Sequence, residues 1–132
     1  MRGEQFLTKP PQYALVYGKG SSMASQLLVL KSLANGLPLS RYGFSVSKKV
    51  GNAVVRNRMK RWLREILRAT NLKQGRDIIF VVRPSASTAD YWKIKQSVGE
   101  LLARARLLEV QATEGMNLQS QIEQTAGIPP AK

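Results

Sequence analysis

Seven lysine or arginine side chains and a single acid occupy the eighteen residues KKVGNAVVRNRMKRWLRE, from Lys48 to Glu65. Arginine offers a planar fork of donors that matches the oxygens of a phosphate, and lysine offers a mobile point charge. Gly51 and Asn52 precede the densest part of the run, and a helix that begins there would add unpaired backbone N–H groups to the side-chain charges. The residue types and their spacing therefore indicate phosphate binding.

Placed on a helix, this segment divides into two faces. The apolar side chains between Val55 and Ala69 share one side, and the other side is almost purely positive. A face that is only solvated usually mixes charges of both signs, whereas Glu65 is the only acid on this helix. A ligand that neutralises the repulsion explains the pattern better than solvation does. The candidate phosphate-binding residues are Lys48, Lys49, Asn52, Arg56, Asn57, Arg58, Lys60, Arg61, Arg64 and Arg68.

The net charge of +13 draws the protein towards polyanions, and nucleic acid is the candidate that fits best. A helix on a membrane surface would keep its apolar face for lipid, but a chain of 132 residues needs that face for its core. No apolar run approaches the ~20 residues that span a bilayer, and the first residues do not resemble a secretory signal. We therefore expect a cytoplasmic protein without a membrane partner.

The chain contains neither histidine nor cysteine, so the commonest general base and thiolate chemistry are absent. A metal-dependent nuclease would need clustered carboxylates, and the acids are scattered along the sequence. They are Glu4, Glu65, Asp77, Asp90, Glu100, Glu109, Glu114 and Glu123. We therefore expect no catalytic residue in the protein itself, and the hypothesis of a protein-only nuclease is disfavoured.

The first part of the chain predicts one short helix and two strands. Pro10–Pro11 can open a helix, since proline is tolerated in the first turn, and the glycines that follow suit its end. The apolar run Leu27–Leu30 favours a buried strand, and Tyr42–Val46 alternates with the period of a half-buried strand. Because Asn35–Gly36 marks a turn between them, we expect these two strands to form a hairpin.

A buried strand and a last helix are predicted after the basic helix. Asp77–Arg83 is mostly β-branched or aromatic, which is typical of a strand covered on both faces. Ser87–Asp90 matches a capping box that would open a helix with apolar positions from Tyr91 to Leu108. The order of elements predicts one α+β sandwich domain over residues 1–108. Residues 109–132, rich in glutamine, glycine and proline, are expected to form a flexible tail.

The segment SVSKKVGNAVVRNRMKRWLRE, from Ser45 to Glu65, closely resembles the signature of the bacterial ribonuclease P protein subunit. The matching positions are Lys48-Lys49, Gly51 to Val54, Arg56-Asn57-Arg58, Lys60, Arg61 and Arg64. A looser similarity extends from about Leu7 to Leu108. The resemblance implies an αβββαβα fold of the ribosomal-protein-S5-domain-2-like type. It also implies a left-handed βαβ crossover, opposite to the usual hand, through YGFSVS, the arginine-rich helix and DIIFVVR.

The resemblance also implies a function. Members of the family assemble with a large catalytic RNA, and the holoenzyme hydrolyses precursor tRNA to leave a mature 5′ end. Catalysis uses Mg²⁺ held mainly by that RNA. The region Arg56-Asn57-Arg58 is then expected to contact the RNA near its catalytic centre, while a cleft between the first helix and the sheet holds the single-stranded 5′ leader.

Five residues are candidates for the leader cleft, because single strands are held by basic grooves with aromatic platforms. Tyr13 and Tyr17 stand where the family carries two aromatic residues, although ordinary core packing would also explain them. Ser45 and Ser47 lie on one side of their strand and are otherwise plain exposed positions. Lys31 stands where the family often has a further aromatic residue, so a leader contact there would be either electrostatic or lost. Phe6-Leu7 replaces an early Arg-Leu, so RNA contacts from the N-terminus are not expected.

A structural RNA-binding protein, such as a ribosomal protein or an assembly factor, fits the composition and the basic helix equally well. Only the match to the family motif separates the two hypotheses. The sequence does not decide the type of RNA subunit, the oligomeric state, or whether the protein itself binds a metal ion.

Overall fold

Four strands form one mixed sheet with helices on both of its faces, in a computed structural model that describes residues 6–108. The elements are α1 (Pro10–Lys19), β1 (Ser21–Ala24), β2 (Leu28–Ala34), β3 (Arg41–Val46), α2 (Ala53–Arg68), β4 (Arg76–Val82), a short 3-10 helix (Pro84–Thr88) and α3 (Tyr91–Arg104). The order αβββαβα is the one that the family resemblance implies. The predicted tail, 109–132, lies outside the described residues.

The strand order is β1-β2-β4-β3, so the last strand of the chain lies inside the sheet. β4 pairs antiparallel with β2 and parallel with β3. The predicted hairpin between 27–30 and 42–46 is therefore wrong, because β4 separates these two strands. The side chains of β4 are apolar on both faces of the sheet, and only a strand in the middle of the sheet has both faces covered. α2 makes the crossover from β3 to β4. The left-handedness of this crossover stays a prediction.

The hairpin partner of β2 is β1, which the sequence analysis missed. Ser21–Ala24 is only four residues long and mostly exposed, so it shows no alternation of apolar and polar residues. Its pairing with β2 rests on backbone hydrogen bonds and the short turn between the strands. Its side chains add a contact between the hydroxyls of Ser21 and Ser32 at 3.4 Å and the packing of Met23 against the main core.

The main core lies between one face of the sheet and helices α2 and α3. Leu30 of β2, Phe80 of β4 and Phe44 of β3 are aligned across the sheet on this face. Met59 and Leu63 of α2 pack there and are fully buried. The apolar face predicted for the basic helix is thus confirmed.

α1 covers the opposite face through a smaller apolar cluster. Leu7 and Val16 pack there against Ile79 of β4, which is completely buried. Tyr13 lies at the edge of this cluster. Because Ile79 and Phe80 are neighbours in one strand, β4 supplies both cores.

The helix ends follow local hydrogen bonding. Asn52 caps α2, since its side-chain oxygen accepts a bond from the N–H of Val55 at 3.0 Å. The predicted capping box at Ser87–Asp90 is wrong: Ser87 lies in the 3-10 helix, and Asp90 itself caps α3 by accepting from the N–H of Lys93 at 2.9 Å. α3 ends at Arg104, four residues before the predicted end.

An ion pair closes the end of the sheet opposite to the start of α2. Asp77 is 5% exposed and accepts from Nε and Nη2 of Arg41 at 2.9 and 2.8 Å. Asn35 donates to the same carboxylate at 2.8 Å. The hydrogen bonds to Asp77 raise the pKa of Arg41. This contact joins β3, β4 and the turn after β2. It gives three hydrogen bonds to the one buried carboxylate among residues 6–108.

The packing of α1 on the sheet requires a glycine in β3. A Cβ atom at Gly43 would overlap the hydroxyl oxygen of Tyr13 and lie 2.7 Å from its Cζ. The same hydroxyl donates to the carbonyl of Leu7 at 3.3 Å, so the ring cannot swing away without losing that bond. A side chain at position 43 therefore displaces either the ring of Tyr13, with loss of that hydrogen bond, or α1 itself.

We expect Gly43→Ala to destabilise the protein by about 1–3 kcal/mol, as overpacking does, measured by urea unfolding. Gly99→Ala is the matched control, because open space surrounds Gly99 in α3 and alanine favours a helix. This control should be neutral or stabilising. If Gly43→Ala behaved like the control, or if adding Tyr13→Ala failed to reduce its cost, the steric explanation would be wrong.

Candidate nucleic-acid interface

α2 presents a row of positive side chains to solvent because its other side is fixed in the core. Met59, Leu63, Ile66 and Leu67 are buried. The outward residues, which we call the basic face, are Asn57, Lys60, Arg61, Arg64 and Arg68. None of its cations forms an ion pair with any residue in the range 6–108. The charge of the basic face is therefore uncompensated within the described part of the protein.

The turn before α2 extends the basic face towards the sheet. Lys48 and Lys49 are exposed, and Ser47 holds the turn by accepting from the N–H of Lys49 at 3.3 Å and of Val50 at 3.0 Å. Asn52 is exposed, but its side-chain oxygen is engaged as the helix cap. Its structural role is clear, and its role in RNA binding stays a prediction.

Two arginines in the first turns of α2 are held by neighbours that leave their charge free. Nε of Arg56 donates to the carbonyl of Gly51 at 3.1 Å. The guanidinium of Arg58 lies over the indole of Trp62, with Cζ 5.0 Å from the ring centroid. Nε of Arg58 is buried and has no hydrogen-bond partner among the described residues. An aromatic ring orients this cation and leaves its charge in place, whereas a carboxylate would neutralise it.

In the sequence, Trp62 belongs to the apolar side chains of this helix that are expected to face the core, so its contact with Arg58 was not predicted. Trp62 is only partly buried, at the boundary between the apolar and basic sides of α2. The signal was present in the spacing, since Arg58 and Trp62 are four residues apart and such side chains are neighbours on a helix.

The predicted cleft residues lie on the other face of the sheet, beside α1. Lys31 of β2 is aligned with Ile79, and Ser45 of β3 is aligned with Val81, so all four side chains share the face that α1 covers. Ser47 follows the end of β3 and is exposed. The structure thus brings Lys31 and Ser45 to one face, as the prediction requires.

The two tyrosines of α1 differ in their surroundings. Tyr17 is 43% exposed, and Nζ of Lys31 lies 5.7 Å from its ring centroid. Lys31 also donates to the hydroxyl of Ser22 at 3.3 Å. Tyr13 instead packs against the Ile79 cluster, and burial, followed by the proximity of Tyr17, raises its pKa. Tyr17 with Lys31 therefore offers an open aromatic and cationic surface, while Tyr13 mainly supports α1.

Two general features limit the kinds of site that residues 6–108 contain. No helix in this range is both long and apolar enough to cross a bilayer. In the same residues, no three side chains of aspartate, glutamate, histidine or cysteine lie close enough together to hold a metal ion.

Comparison with known proteins agrees with the geometry. A family model described as Ribonuclease P matches residues 1–106. The ribonuclease P protein component of Dehalococcoides mccartyi is 47% identical over 108 residues, which are 82% of this chain and 90% of that protein. The protein of the same name from Caldanaerobacter subterraneus is 42% identical over 105 residues, 78% of this chain and 90% of that one.

Solved structures show the same fold. The RNase P protein of Staphylococcus aureus matches with a TM-score of 0.74 and 31% identity, over 80% of this chain and 98% of that one. The RNase P protein from Thermotoga maritima matches with a TM-score of 0.70 and 31% identity, over 75% and 96% of the two chains. The resemblance carried by residues 45–65 is confirmed, and this chain belongs to the ribonuclease P protein family.

Proposed function

We propose that this protein is the RNA-binding subunit of a ribonuclease P ribonucleoprotein. In this proposal it helps a catalytic RNA to remove the 5′ leader from precursor tRNA in the cytoplasm. The observation that carries the proposal is the uncompensated basic face of α2 in a member of this family. Family membership also favours this proposal over the alternative of a ribosomal protein or an assembly factor. Composition alone fitted both hypotheses equally well.

The hydrolytic chemistry is assigned to the RNA. The chain offers no histidine or cysteine, and among residues 6–108 the only buried carboxylate, Asp77, is already bonded to Arg41 and Asn35. These residues do not fit a magnesium site. Mg²⁺ held by the RNA would supply the activated water and the stabilisation of charge that hydrolysis needs.

The contribution of α2 is electrostatic and geometric. Its cations reduce the repulsion between phosphates that RNA folding and substrate docking bring together. Because the helix is anchored by four buried side chains, these cations are already in place before the RNA arrives, and less freedom is lost on binding.

The leader is assigned to the surface beside α1. Tyr17 provides a ring on which a base can stack, and Lys31 provides a charge for the neighbouring phosphate. Ser45 and Ser47 lead along β3 from this surface to Lys48 and Lys49, where the basic turn begins. A strand that follows β3 would therefore reach the RNA bound on α2.

A cleavage assay tests the proposed function. The purified protein, a bacterial ribonuclease P RNA transcript and a 5′-extended precursor tRNA are combined at low magnesium concentration. We expect cleavage at the mature 5′ end only when protein and RNA are both present. Cleavage by the protein alone would place the active site in the protein. RNA binding without stimulation of cleavage would identify a structural RNA-binding protein.

Removing one charge from the basic face should weaken RNA binding without unfolding the protein. We expect Arg61→Ala to lower the affinity for the RNA transcript and to reduce the slope of log affinity against log salt by about 0.7–0.9, the value for one phosphate contact. Its unfolding free energy should stay within about 0.5 kcal/mol, since Arg61 is exposed. Lys73→Ala is the charge-matched control, because Lys73 is exposed beyond the far end of α2. Equal effects of the two variants would show that only net charge matters.

The Tyr17 and Lys31 pair should matter only for substrates that carry a leader. We expect Tyr17→Ala to weaken holoenzyme binding of leader-bearing precursor by about fivefold or more, the loss of one stacked base. Lys31→Ala should weaken the same binding through the loss of one phosphate contact. Both variants should leave binding of mature tRNA unchanged. Leu15→Ala is the control, because Leu15 is an exposed apolar residue of the same helix. A similar loss with mature tRNA would contradict the assignment of the leader to this surface.

A further inference from the structure

A chain of ring contacts leads from α2 to the surface at the start of α3. Arg58 lies over Trp62, and the ring of Trp62 meets Tyr91 edge to face, with centroids 5.8 Å apart. Tyr91 in turn meets Trp92 edge to face at 5.2 Å. Trp92 is 68% exposed, and Nζ of Lys95 lies 5.4 Å from its ring centroid. We call these five residues the aromatic ladder.

The outer end of the ladder is an indole that is both exposed and oriented. α3 buries Ile94 and Val98 in the core, so Trp92 is not needed to hold the helix on the sheet. Scattered exposed apolar residues are common and need no explanation on their own. Trp92 differs from them because its ring meets Tyr91 in a T-shaped contact and Nζ of Lys95 lies over it, while Lys93 follows it in the sequence.

An exposed ring with a cation beside it is an arrangement that can hold an unpaired nucleotide. Every base has a π-face that can stack on an indole, and adjacent lysines can contact the flanking phosphates. The nearest acid in the sequence is Asp90, which caps α3 and keeps its negative charge, but Lys93 and Lys95 outnumber it. The local charge around Trp92 therefore favours a phosphate chain.

We propose that Trp92 is a stacking platform for an unpaired base of the same RNA that binds the basic face of α2, with Lys93 and Lys95 contacting the adjacent phosphates. This inference rests on the proposed function, because it takes α2 as an RNA-binding helix. It extends the RNA interface from α2 across Trp62 and Tyr91 to the start of α3.

The position of the ladder selects the RNA subunit over the leader as the source of the base. Trp62 and Tyr91 pack against the core between the sheet and helices α2 and α3. Tyr13, which marks the leader surface, packs against the cluster on the opposite face of the sheet. A leader lying along α1 would have to pass around the edge of the sheet to reach Trp92.

Substitutions at Trp92 test the proposal through affinity for a bacterial ribonuclease P RNA transcript without substrate. We expect Trp92→Ala and Trp92→Leu to weaken binding about tenfold, the loss of one stacked base, and Trp92→Tyr to stay within about threefold of the original protein. Leucine keeps an apolar side chain but has no ring, so it separates stacking from simple hydrophobic contact. Leu15→Ala, on the opposite face, should leave this affinity unchanged.

A spectroscopic test reports on the ring directly. Trp62→Phe leaves Trp92 as the only tryptophan of the chain, and stacking of a base on it should quench its fluorescence when the transcript is added. The quenching should disappear when the transcript is displaced by salt. Thermal unfolding of every variant verifies the fold, and the exposed position of Trp92 makes large changes in stability unexpected.

Three results would overturn the proposal. They are unchanged affinity of Trp92→Ala, full affinity of Trp92→Leu, and a loss of affinity that appears only when a leader-bearing precursor is present. The last result would make the leader the occupant of this site. Failure of the proposed function looks different, because the original protein itself would then neither bind the transcript nor stimulate cleavage, and both proposals would fall.

Discussion

The burial of β4 on both faces is the constraint on which the other elements depend. Ile79 and Phe80 are consecutive and both are completely buried. Side chains alternate along a strand, so one residue supports α1 and the next supports α2 and α3. The basic face and the leader surface are therefore built on opposite sides of one strand. A polar residue at either position would loosen one helical layer and disturb the register that places the other.

The elements that could be predicted from the sequence are those whose pattern is local. α2 has a cap at Asn52 and an apolar stripe at helical spacing, so its position followed from a few adjacent residues. β4 was predicted from its apolar run. The residue patterns did not predict the topology, because consecutive strands usually pair and here β4 lies between β2 and β3. The βαβ unit of β3, α2 and β4 was implied only by the family resemblance. The four residues of β1 carry no pattern that distinguishes them from a loop.

In the candidate site, the residue types could be predicted but their individual roles could not. Tyr13 and Tyr17 share one side of α1 and look equivalent in the sequence. Gly43, on a different strand, leaves room for the ring of Tyr13, and Lys31 lies over the ring of Tyr17. Both differences come from residues far away in the chain. Arg58 and Trp62 were a local pair, but only the structure shows that a ring, with no acid, holds this arginine among the described residues.

The cost of assembling so much positive charge explains how folding and RNA binding are linked. Like charges on α2 repel one another, and burial of Met59, Leu63, Ile66 and Leu67 offsets that repulsion in the free protein. In the proposed complex, RNA phosphates would reduce this repulsion, and binding would stabilise the fold to the extent that the RNA prefers the folded arrangement of these charges. Added salt screens the same charges, which favours the free folded protein while weakening its complex with RNA. Under the proposed function, the like charges of α2 that oppose folding of the isolated chain would therefore drive its assembly with RNA.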